Sequence, residues 1–310
     1  MNKKGRMMIT RRFTLAGLGA MGLTGLTPLL ARASVQMGDV TVTSLSDGYL
    51  QLPGDFAFAH LPQDELLPLL AEYQVSRDQV QPPCNVTLMQ DGDRTVLFDV
   101  GSGPAFMPSA GALLDNLEAA GIAPDDVTDV VFTHAHPDHL WGLLDDFDDP
   151  VFANANYMMG QAEWEYWTDP DTVNTIGEAR ASFAVGAARR LEMIEDTVTL
   201  IEPGQEVLAG VMSHASYGHT PGHMSFEIRA GAEAMMVVGD AIGNHHIAMA
   251  RPDWPSGSDQ DQSTGSVTRM RLLDQLAQDN MLMLGFHLPG GGIGRVEKRG
   301  DGYHFAAGEM

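Results

Sequence analysis

Short apolar stretches and longer stretches of helical periodicity alternate along most of the chain. The short stretches are rich in β-branched and other apolar side chains, a composition that is typical of strands. They lie at residues 40–45, 86–89, 95–100, 129–133, 211–215, 224–228, 234–238 and 281–284. Short strands that alternate with helices predict an α/β fold.

Helices are predicted where apolar residues recur every three or four positions. They cover residues 111–120, residues 175–194 and the segment that carries Val267, Met270, Leu273 and Ala277. In the first helix, Leu113, Leu114 and Leu117 are expected on one face. We interpret these apolar stripes as faces that pack on the core. Since no internal repeat or linker interrupts the pattern, residues 34–310 are predicted to form one compact domain.

The first 33 residues carry a different pattern. A basic stretch with the pair Arg11-Arg12 precedes an apolar stretch at 13–30 and a small-x-small sequence at 31–33, which signal peptidase could cleave. The pattern resembles a twin-arginine export signal. A single membrane-spanning helix is the alternative, and the glycines and the proline of the apolar stretch disfavour it. We therefore predict a signal peptide at 1–33 and a periplasmic or secreted protein that is not membrane-bound after cleavage.

Composition and charge narrow the classes of function. Of the 310 residues, 44% are hydrophobic and 19% are charged, as in globular proteins. The formal net charge is −23. Residues 1–33 hold six basic and no acidic residues, so the rest of the chain contains 12 basic and 41 acidic residues. A surface this negative argues against nucleic acid or anionic lipid as a partner. The single cysteine, Cys84, excludes an internal disulfide and is expected to be a small buried apolar group.

A dense cluster of metal-binding residue types follows one predicted strand. Directly after the apolar residues that end at Thr133 come His134, His136, Asp138 and His139. Strand alternation points the first two histidines the same way, and the turn at the intervening proline lets the last two side chains face a second point. Four such side chains within six residues predict a site for two neighbouring metal ions.

Three further motifs follow in the order that is typical of a known family. They are Gly218-His219-Thr220-Pro221-Gly222-His223, Val237-Val238-Gly239-Asp240 and Gly285-Phe286-His287. With the His-x-His-x-Asp-His cluster, they make the chain similar to the metallo-β-lactamase superfamily over about residues 39–305. The resemblance implies a four-layer αββα sandwich and a metal-dependent hydrolase.

The resemblance also implies, position by position, the ligands of two divalent cations. His134, His136 and His219 would bind one ion, Asp138, His139 and His287 the other, and Asp240 would bridge them. Imidazole and carboxylate ligands suit zinc. Manganese and iron are alternatives, because the metals available during folding also decide which ion is bound. A hydroxide shared by the two ions would attack the substrate. Asp240 and Asp138 are the expected catalytic residues, and Asp240 would also take up or pass on a proton.

Other residues are expected to surround this centre. His223 should support the ligands from behind, because its loop cannot easily aim both of its histidines at the ions. Phe106 and His245 are candidates for the substrate pocket. Trp167 is a third pocket candidate, because a related branch of the family has an aromatic pocket residue at this position. The alternative is that Trp167 lies on the packing face of a helix. Asp99 is expected to tie a turn.

The motif sequences resemble most the methyl parathion hydrolase-like branch, which lies close to the quorum-quenching lactonases. This resemblance implies hydrolysis of small-molecule esters, lactones or organophosphate triesters. The alternatives are an acyl-homoserine lactone lactonase specifically, a mononuclear-iron persulfide dioxygenase, and a metal-binding protein without catalysis. The sequence leaves open whether two copies of the chain form a homodimer through the apolar segment near residues 56–70.

Overall fold

The fold is given by a computed structural model that describes residues 33–308. The strands are β1 (Ser34–Met37), β2 (Val40–Tyr49), β3 (Leu52–Pro53), β4 (Gln79–Val80), β5 (Pro83–Asp91), β6 (Arg94–Phe98), β7 (Asp129–Val131), β8 (Asn156–Gly160), β9 (Thr199–Ile201), β10 (Glu206–Leu208), β11 (Val211–Ala215), β12 (Met224–Ala230), β13 (Glu233–Gly239), β14 (Leu282–Gly285), β15 (Ile293–Arg299) and β16 (Gly302–Ala307). The predicted export signal at 1–33 lies outside the described residues, except for Ala33.

The helices in this part of the chain are mostly short. They are α1 (Gly54–Phe58), α2 (Gln63–Glu72), α3 (Leu113–Ala119), α4 (Pro137–Leu140), α5 (Gln161–Thr168), α6 (Thr172–Thr175), α7 (Ala181–Glu192), α8 (Ile247–Ala250) and α9 (Gln262–Gln278), with single 3-10 turns at Pro124–Asp126, Trp141–Leu143, Glu178–Arg180 and Gly290–Gly292. Within residues 33–308, none of these helices has the length and apolarity needed to cross a membrane.

Two large sheets form the centre of the molecule. The first has the strand order β1-β2-β5-β6-β7-β8-β9, and the second runs from β10 to β16 in chain order. Pairing in the first sheet is antiparallel up to β6 and parallel from β6 to β9. In the second sheet the pair β13–β14 is parallel. The parallel strands matter for function because their carboxyl ends meet at one edge of each sheet.

The two sheets pack face to face and carry helices on their outer faces. Between the sheets, the rings of Phe98 and Phe226 lie 5.6 Å apart. Leu117 of α3 and Leu191 of α7 are buried in the cluster on the outer face of the first sheet. Leu273 of α9 is buried in the cluster on the second sheet. Burying a leucine contributes about 2 kcal/mol, so these layers hold each other in place. The predicted α/β class and four-layer αββα sandwich are confirmed.

Each predicted strand corresponds to an observed one, but two helix predictions need correction. The helix predicted over 175–194 is broken, because Gly177 has a φ of +96° and α7 begins only at Ala181. Two residues placed on core faces are exposed, Leu114 at 44% and Val267 at 63%. In α9 the buried face keeps Leu273 of the predicted stripe but also includes Thr268 and Leu272. Apolar character alone therefore misplaced the inner face of these helices.

A small extra layer covers one end of the sandwich. Strands β3 and β4 pair with each other and enclose α1 and α2. Phe58, Leu61 and Leu66 pack there in one buried cluster with Ile247 and Trp254. Since Ile247 and Trp254 come from the segment between β13 and α9, the extra layer is fixed beside the carboxyl end of β13. It forms one wall of the cavity described below.

Candidate metal centre

The predicted ligands converge at the carboxyl ends of parallel strands. His134 to His139 follow β7, with α4 beginning inside the motif at Pro137. Asp240 follows β13 directly, and His287 comes two residues after β14. His219 lies in the loop between β11 and β12. Because β13 and β14 run parallel, their ends deliver their ligands side by side, as is usual for sites in α/β sheets.

Three histidines form the first group of ligand atoms. His136 Nδ1 lies 3.1 Å from His134 Nε2 and 2.8 Å from His219 Nε2. All three side chains are buried. Their ligand atoms lie within 4.8 Å of one another, a spacing that fits one shared cation.

Two histidines and two aspartates form the second group. Asp138 Oδ2 lies 3.2 Å from His287 Nε2 and 3.5 Å from His139 Nε2. With Asp240, these ligand atoms again lie within 4.8 Å of one another. Imidazole nitrogens and carboxylate oxygens are the ligands that zinc takes outside its thiolate sites.

Asp240 contacts both groups. Its Oδ2 lies 3.2 Å from His219 Nε2 in the first group and 3.2 Å from His287 Nε2 in the second. Its Oδ1 lies 3.3 Å from His139 Nε2. A single carboxylate between two sets of imidazoles is the arrangement that a pair of neighbouring cations requires.

Hydrogen bonds behind the ligands fix which ring nitrogen carries the proton. His139 Nδ1 lies 2.7 Å from Asp99 Oδ2, and His287 Nδ1 lies 2.8 Å from the carbonyl oxygen of Pro83. His219 Nδ1 lies 3.2 Å from Asp259 Oδ1. These oxygens only accept, so each Nδ1 must be the donor, and in the neutral ring each Nε2 keeps its lone pair for the centre.

In His134 a hydroxyl group, rather than a carboxylate or a carbonyl, keeps the proton on Nδ1. Thr133 Oγ1 donates to Asp99 Oδ2 at 2.8 Å and lies 3.0 Å from His134 Nδ1. Since the hydroxyl proton is used on Asp99, the oxygen accepts from His134 Nδ1, and Nε2 is again the free nitrogen. Asp99, which was expected to tie a turn, therefore orients ligands. Its φ of +67° is rare for a non-glycine residue.

The electrostatics of the two groups differ. Burial lowers the pKa of His134 and His136 well below the usual value, and the neighbouring histidines add to this effect. For His139 and His287 burial also opposes the charged form, but nearby carboxylates, Asp240 above all, outweigh it and raise the pKa. His134 and His136 are thus neutral imidazoles, while the second group combines imidazoles with negative charge.

Unpartnered polar atoms point into the centre. Asp138 Oδ2, His139 Nε2 and Asp240 Oδ1 are buried and have no hydrogen-bond partner among the described residues. A buried polar atom without a partner costs about 1–3 kcal/mol, more when it is charged. All three atoms are ligand types for divalent cations, so the residues present fit two such ions.

Two supporting carboxylates were missed in the sequence. Glu163 is fully buried and accepts from Ala135 N–H, Trp167 Nε1–H and Thr220 Oγ1–H. Asp259 accepts from His219 and from Arg269. Neither belongs to the ligand motifs, and the parts of the centre that they hold, at Ala135, His219 and Thr220, are distant in the sequence, so the ligand motifs did not reveal them.

His223 lies behind the ligands, where the sequence suggested. The backbone N–H of Asp240 donates to His223 Nε2 at 3.0 Å, and His223 Nδ1 lies 2.8 Å from Ser216 Oγ. Burial lowers the pKa of His223 to about 3, so the ring is neutral and can accept. A Cβ at Gly239 would lie 2.6 Å from His223 Nε2, and this glycine has a φ of +52°, so a side chain there is excluded.

A cavity of about 570 Å³ opens onto the centre. Phe106 and His245, the expected pocket residues, both line it. Trp167 does not: it is only 1% exposed, and its indole N–H donates to Glu163 at 2.6 Å. Its ring packs 5.7 Å from the ring of His136. Trp167 therefore supports a ligand from behind, which corrects its assignment to the pocket.

The chain matches a described protein family and several relatives. A family model described as the Metallo-beta-lactamase superfamily matches residues 80–278. Metallo-beta-lactamase domain-containing protein 1 of Xenopus laevis is 38% identical over 90 residues, which cover 29% of this chain and 34% of that protein. The N-acyl homoserine lactonase AttM of Azorhizobium caulinodans is 32% identical over 114 residues, 36% of this chain and 40% of that protein. The chain thus matches about a third to two-fifths of the length of these relatives.

Solved structures are similar over nearly the whole described chain. AidC, a dizinc quorum-quenching lactonase in complex with a product, has a TM-score of 0.85 and 24% identity, and the match covers 90% of this chain and 98% of AidC. AbOPH, a hydrolase in the beta lactamase superfamily, has a TM-score of 0.83 and 26% identity, with the same coverage. At 24% identity, the likeness to AidC shows the fold alone.

Proposed function

The chain belongs to the metallo-β-lactamase superfamily, and from this premise we propose that it is a two-metal hydrolase of ester, lactone or organophosphate triester substrates. One observation carries the proposal. Asp240 Oδ2 lies 3.2 Å from a nitrogen of each ligand group, at the floor of a substrate-sized cavity. This places both groups where one substrate can reach them.

The residues would divide the work as follows. When bound, two divalent cations supply an activated water near neutral pH and polarise the substrate oxygen. His134, His136 and His219 would hold one cation, and Asp138, His139 and His287 the other, with Asp240 between them. Asp240 contacts both ligand groups, so it is the carboxylate that we assign to take up or pass on a proton.

The hydrogen bonds behind the ligands keep this geometry rigid. Asp99 holds His139, Asp259 holds His219, and His223 holds the backbone of Asp240. Preorganised ligands need no rearrangement during the reaction, which is the main source of electrostatic catalysis. We expect zinc as the physiological metal, with manganese or iron able to occupy the same ligands.

The cavity wall suits substrates with an apolar part. Phe56, Phe58, Leu61, Phe106 and Trp254 contribute to it. Such a wall favours an acyl chain or aryl group beside the scissile bond. The name of AttM describes an N-acyl homoserine lactonase, which supports lactones as a first substrate class to test and an acyl-homoserine lactone as the narrower candidate.

A metal count combined with a substrate panel tests the proposal. Purified protein should bind two metal ions per chain and hydrolyse at least one of an aryl ester, a lactone and a phosphotriester. His136→Ala removes a ligand, so we expect loss of metal and an activity decrease of at least about 100-fold. His214→Ala is the matched control, because His214 lies outside the centre and pairs with Glu227; it should keep both metals and its activity.

Three results would contradict the proposal. Activity that does not respond to His136→Ala would exclude the assigned site. Two bound ions without turnover on the panel would indicate a metal-binding protein without catalysis. One iron per chain with thiol-dependent oxygen uptake would indicate persulfide oxidation instead.

A further inference from the structure

The cavity holds several basic side chains although the chain is acidic. The sequence contains 41 acidic and 18 basic residues. Among the described residues that line the cavity, the only acidic ones are the proposed ligands Asp138 and Asp240, whereas Arg180, Arg251 and Arg269 all line it. A basic side chain without an ion-pair partner would attract an anionic ligand there, because low-dielectric walls focus the field.

Two of the three arginines are already neutralised. Arg251 pairs with Glu65 and with Asp253. Arg269 is buried and lies 3.3 Å from Asp259 Oδ2. Their charges therefore serve the fold, and neither is available to a substrate without breaking an existing ion pair.

Arg180 differs from them. Within residues 33–308 it has no carboxylate within 4.0 Å, and its hydrogen bonds run from Nη2 to the carbonyl oxygens of Gly257 and Ser258, at 2.9 and 3.0 Å. Asp259 is the carboxylate that acts on it electrostatically, but that group is already bonded to His219 and Arg269. The two carbonyls fix the guanidinium group and leave Nε and Nη1 free to donate.

Arg180 also lies on the side of the first ligand group. Arg180, His136 and His219 line the same cavity. Phe183, three residues further on, packs its ring 6.0 Å from the ring of His136. A half-buried cation in the wall of this cavity faces the space that a substrate would fill.

We propose that Arg180 binds a carboxylate of the substrate, so that the preferred substrates are esters or lactones with an anionic group and an apolar spacer. This inference rests on the proposed hydrolase function. Arginine suits the role because its planar fork keeps its charge when partly buried and donates several hydrogen bonds to one carboxylate. Arg180 would thus be a specificity residue rather than a catalytic one.

Paired substrates test the proposal. The probes are the 4-nitrophenyl monoester of adipic acid and the matching carboxamide, which has nearly the same shape without the charge. With metal-loaded protein and the uncatalysed rate subtracted, we expect kcat/KM to favour the carboxylate by about 10-fold or more, as a charge-assisted hydrogen bond would give. Arg180→Gln should bring this ratio close to one, and Arg180→Lys should keep part of it.

Arg251→Gln is the matched control, because it removes the same charge from the same cavity. Its ratio should stay within about twofold of the wild-type ratio if contact with Arg180 decides the preference. An Arg251→Gln effect as large as that of Arg180→Gln would overturn the proposal in favour of a general field. So would a ratio near one in the wild-type protein.

A binding measurement separates this inference from the proposed function. Calorimetry would give the dissociation constants of adipate and its monoamide for the metal-loaded protein, without any turnover. The preference for adipate should fall about 10-fold or more in Arg180→Gln. If that binding preference is found but no ester is cleaved, the hydrolase function is wrong and the anion site stands. If esters are cleaved but neither the kcat/KM ratio nor the ratio of dissociation constants changes in Arg180→Gln, the anion site is wrong and the function stands.

Discussion

Glu163 is buried where two loops of the metal centre meet. Its Oε1 accepts from Ala135 N–H at 2.9 Å, between two ligands of the first loop, and its Oε2 accepts from Gly222 N–H at 3.0 Å, close to the ligand His219. A Cβ at Gly222 would lie 2.0 Å from the backbone nitrogen of Glu163, so only glycine permits this approach. The carboxylate therefore sets the distance between the two loops.

Exchange of this carboxylate for an amide should weaken metal binding. In Glu163→Gln the amide nitrogen cannot accept, so the backbone N–H of either Ala135 or Gly222 loses its acceptor. We expect the metal dissociation constant to rise about 10- to 100-fold, as for other residues that orient ligands. Competition with a chromophoric chelator measures this. Glu165→Gln, an exposed change on the same helix, should leave the constant unchanged; equal effects of both variants would refute the role of Glu163.

The ligands were predictable from the sequence, and the residues that hold them were not. His134, His136 and Asp138 stand together after one apolar strand, so local order reveals them. Glu163 and Asp259 act on loops that lie far away in the sequence. Such contacts exist only once the loops are folded together. A single buried carboxylate without a local pattern gives no sign of its partner.

At the scale of elements, α9 shows why apolar residues alone do not define a helix face. Leu273 is 0% exposed, whereas Val267 is 63% exposed although both belong to the predicted stripe. The inner face instead includes Thr268 and Arg269, which hydrogen-bond to backbone carbonyls of Tyr217 and Trp254. Polar residues with such partners can be buried, and they displace the apolar residue to the surface.

Alanine substitutions in α9 should separate the two faces. Leu273→Ala removes side-chain atoms from a closed core cluster, so the free energy of unfolding should fall by about 2–5 kcal/mol. Val267→Ala should change it by less than about 0.5 kcal/mol, because this side chain is mostly exposed. Urea denaturation of both variants, followed by circular dichroism, provides the measurement. A large decrease in the free energy of unfolding for Val267→Ala would mean that this face of α9 is buried against other residues.

The strands were easier to predict than the helices for a physical reason. The strand at 234–238 was predicted to within one residue at each end, because a buried strand beside a parallel neighbour is a continuous apolar run between turns. The helix expected over 175–194 is interrupted at Gly177. Glycine in a helical pattern is only weakly unfavourable, so periodicity did not reveal the break. That break places Arg180 in a 3-10 turn beside the cavity.

At the scale of the whole molecule, the metal centre joins the two sheets. His134, His136, Asp138 and His139 follow β7 of the first sheet, whereas the other three ligands come from loops of the second sheet. Apolar contacts also connect the sheets, but within residues 33–308 only the centre concentrates unpartnered buried atoms from both. Without cations, the carboxylates of Asp138 and Asp240 lie close together around His287, with no Lys or Arg paired to either among the described residues.

Metal removal should therefore destabilise the whole fold rather than one loop. A ligand that binds only the folded chain stabilises it by RT ln(1 + [L]/Kd), about 2.7 kcal/mol per site at a concentration of 100 Kd. We expect a strong chelator to lower the melting temperature by several degrees, and zinc in excess of the chelator to restore it. Differential scanning calorimetry should show one transition in both states, since the ligands of each ion are shared between loops of both sheets. The shift should be smaller in His136→Ala, which has lost a ligand, and unchanged in His214→Ala, which lies outside the centre. If the chelator leaves the melting temperature unchanged, the protein alone holds the converging side chains in place, and the two-metal interpretation would have to be abandoned.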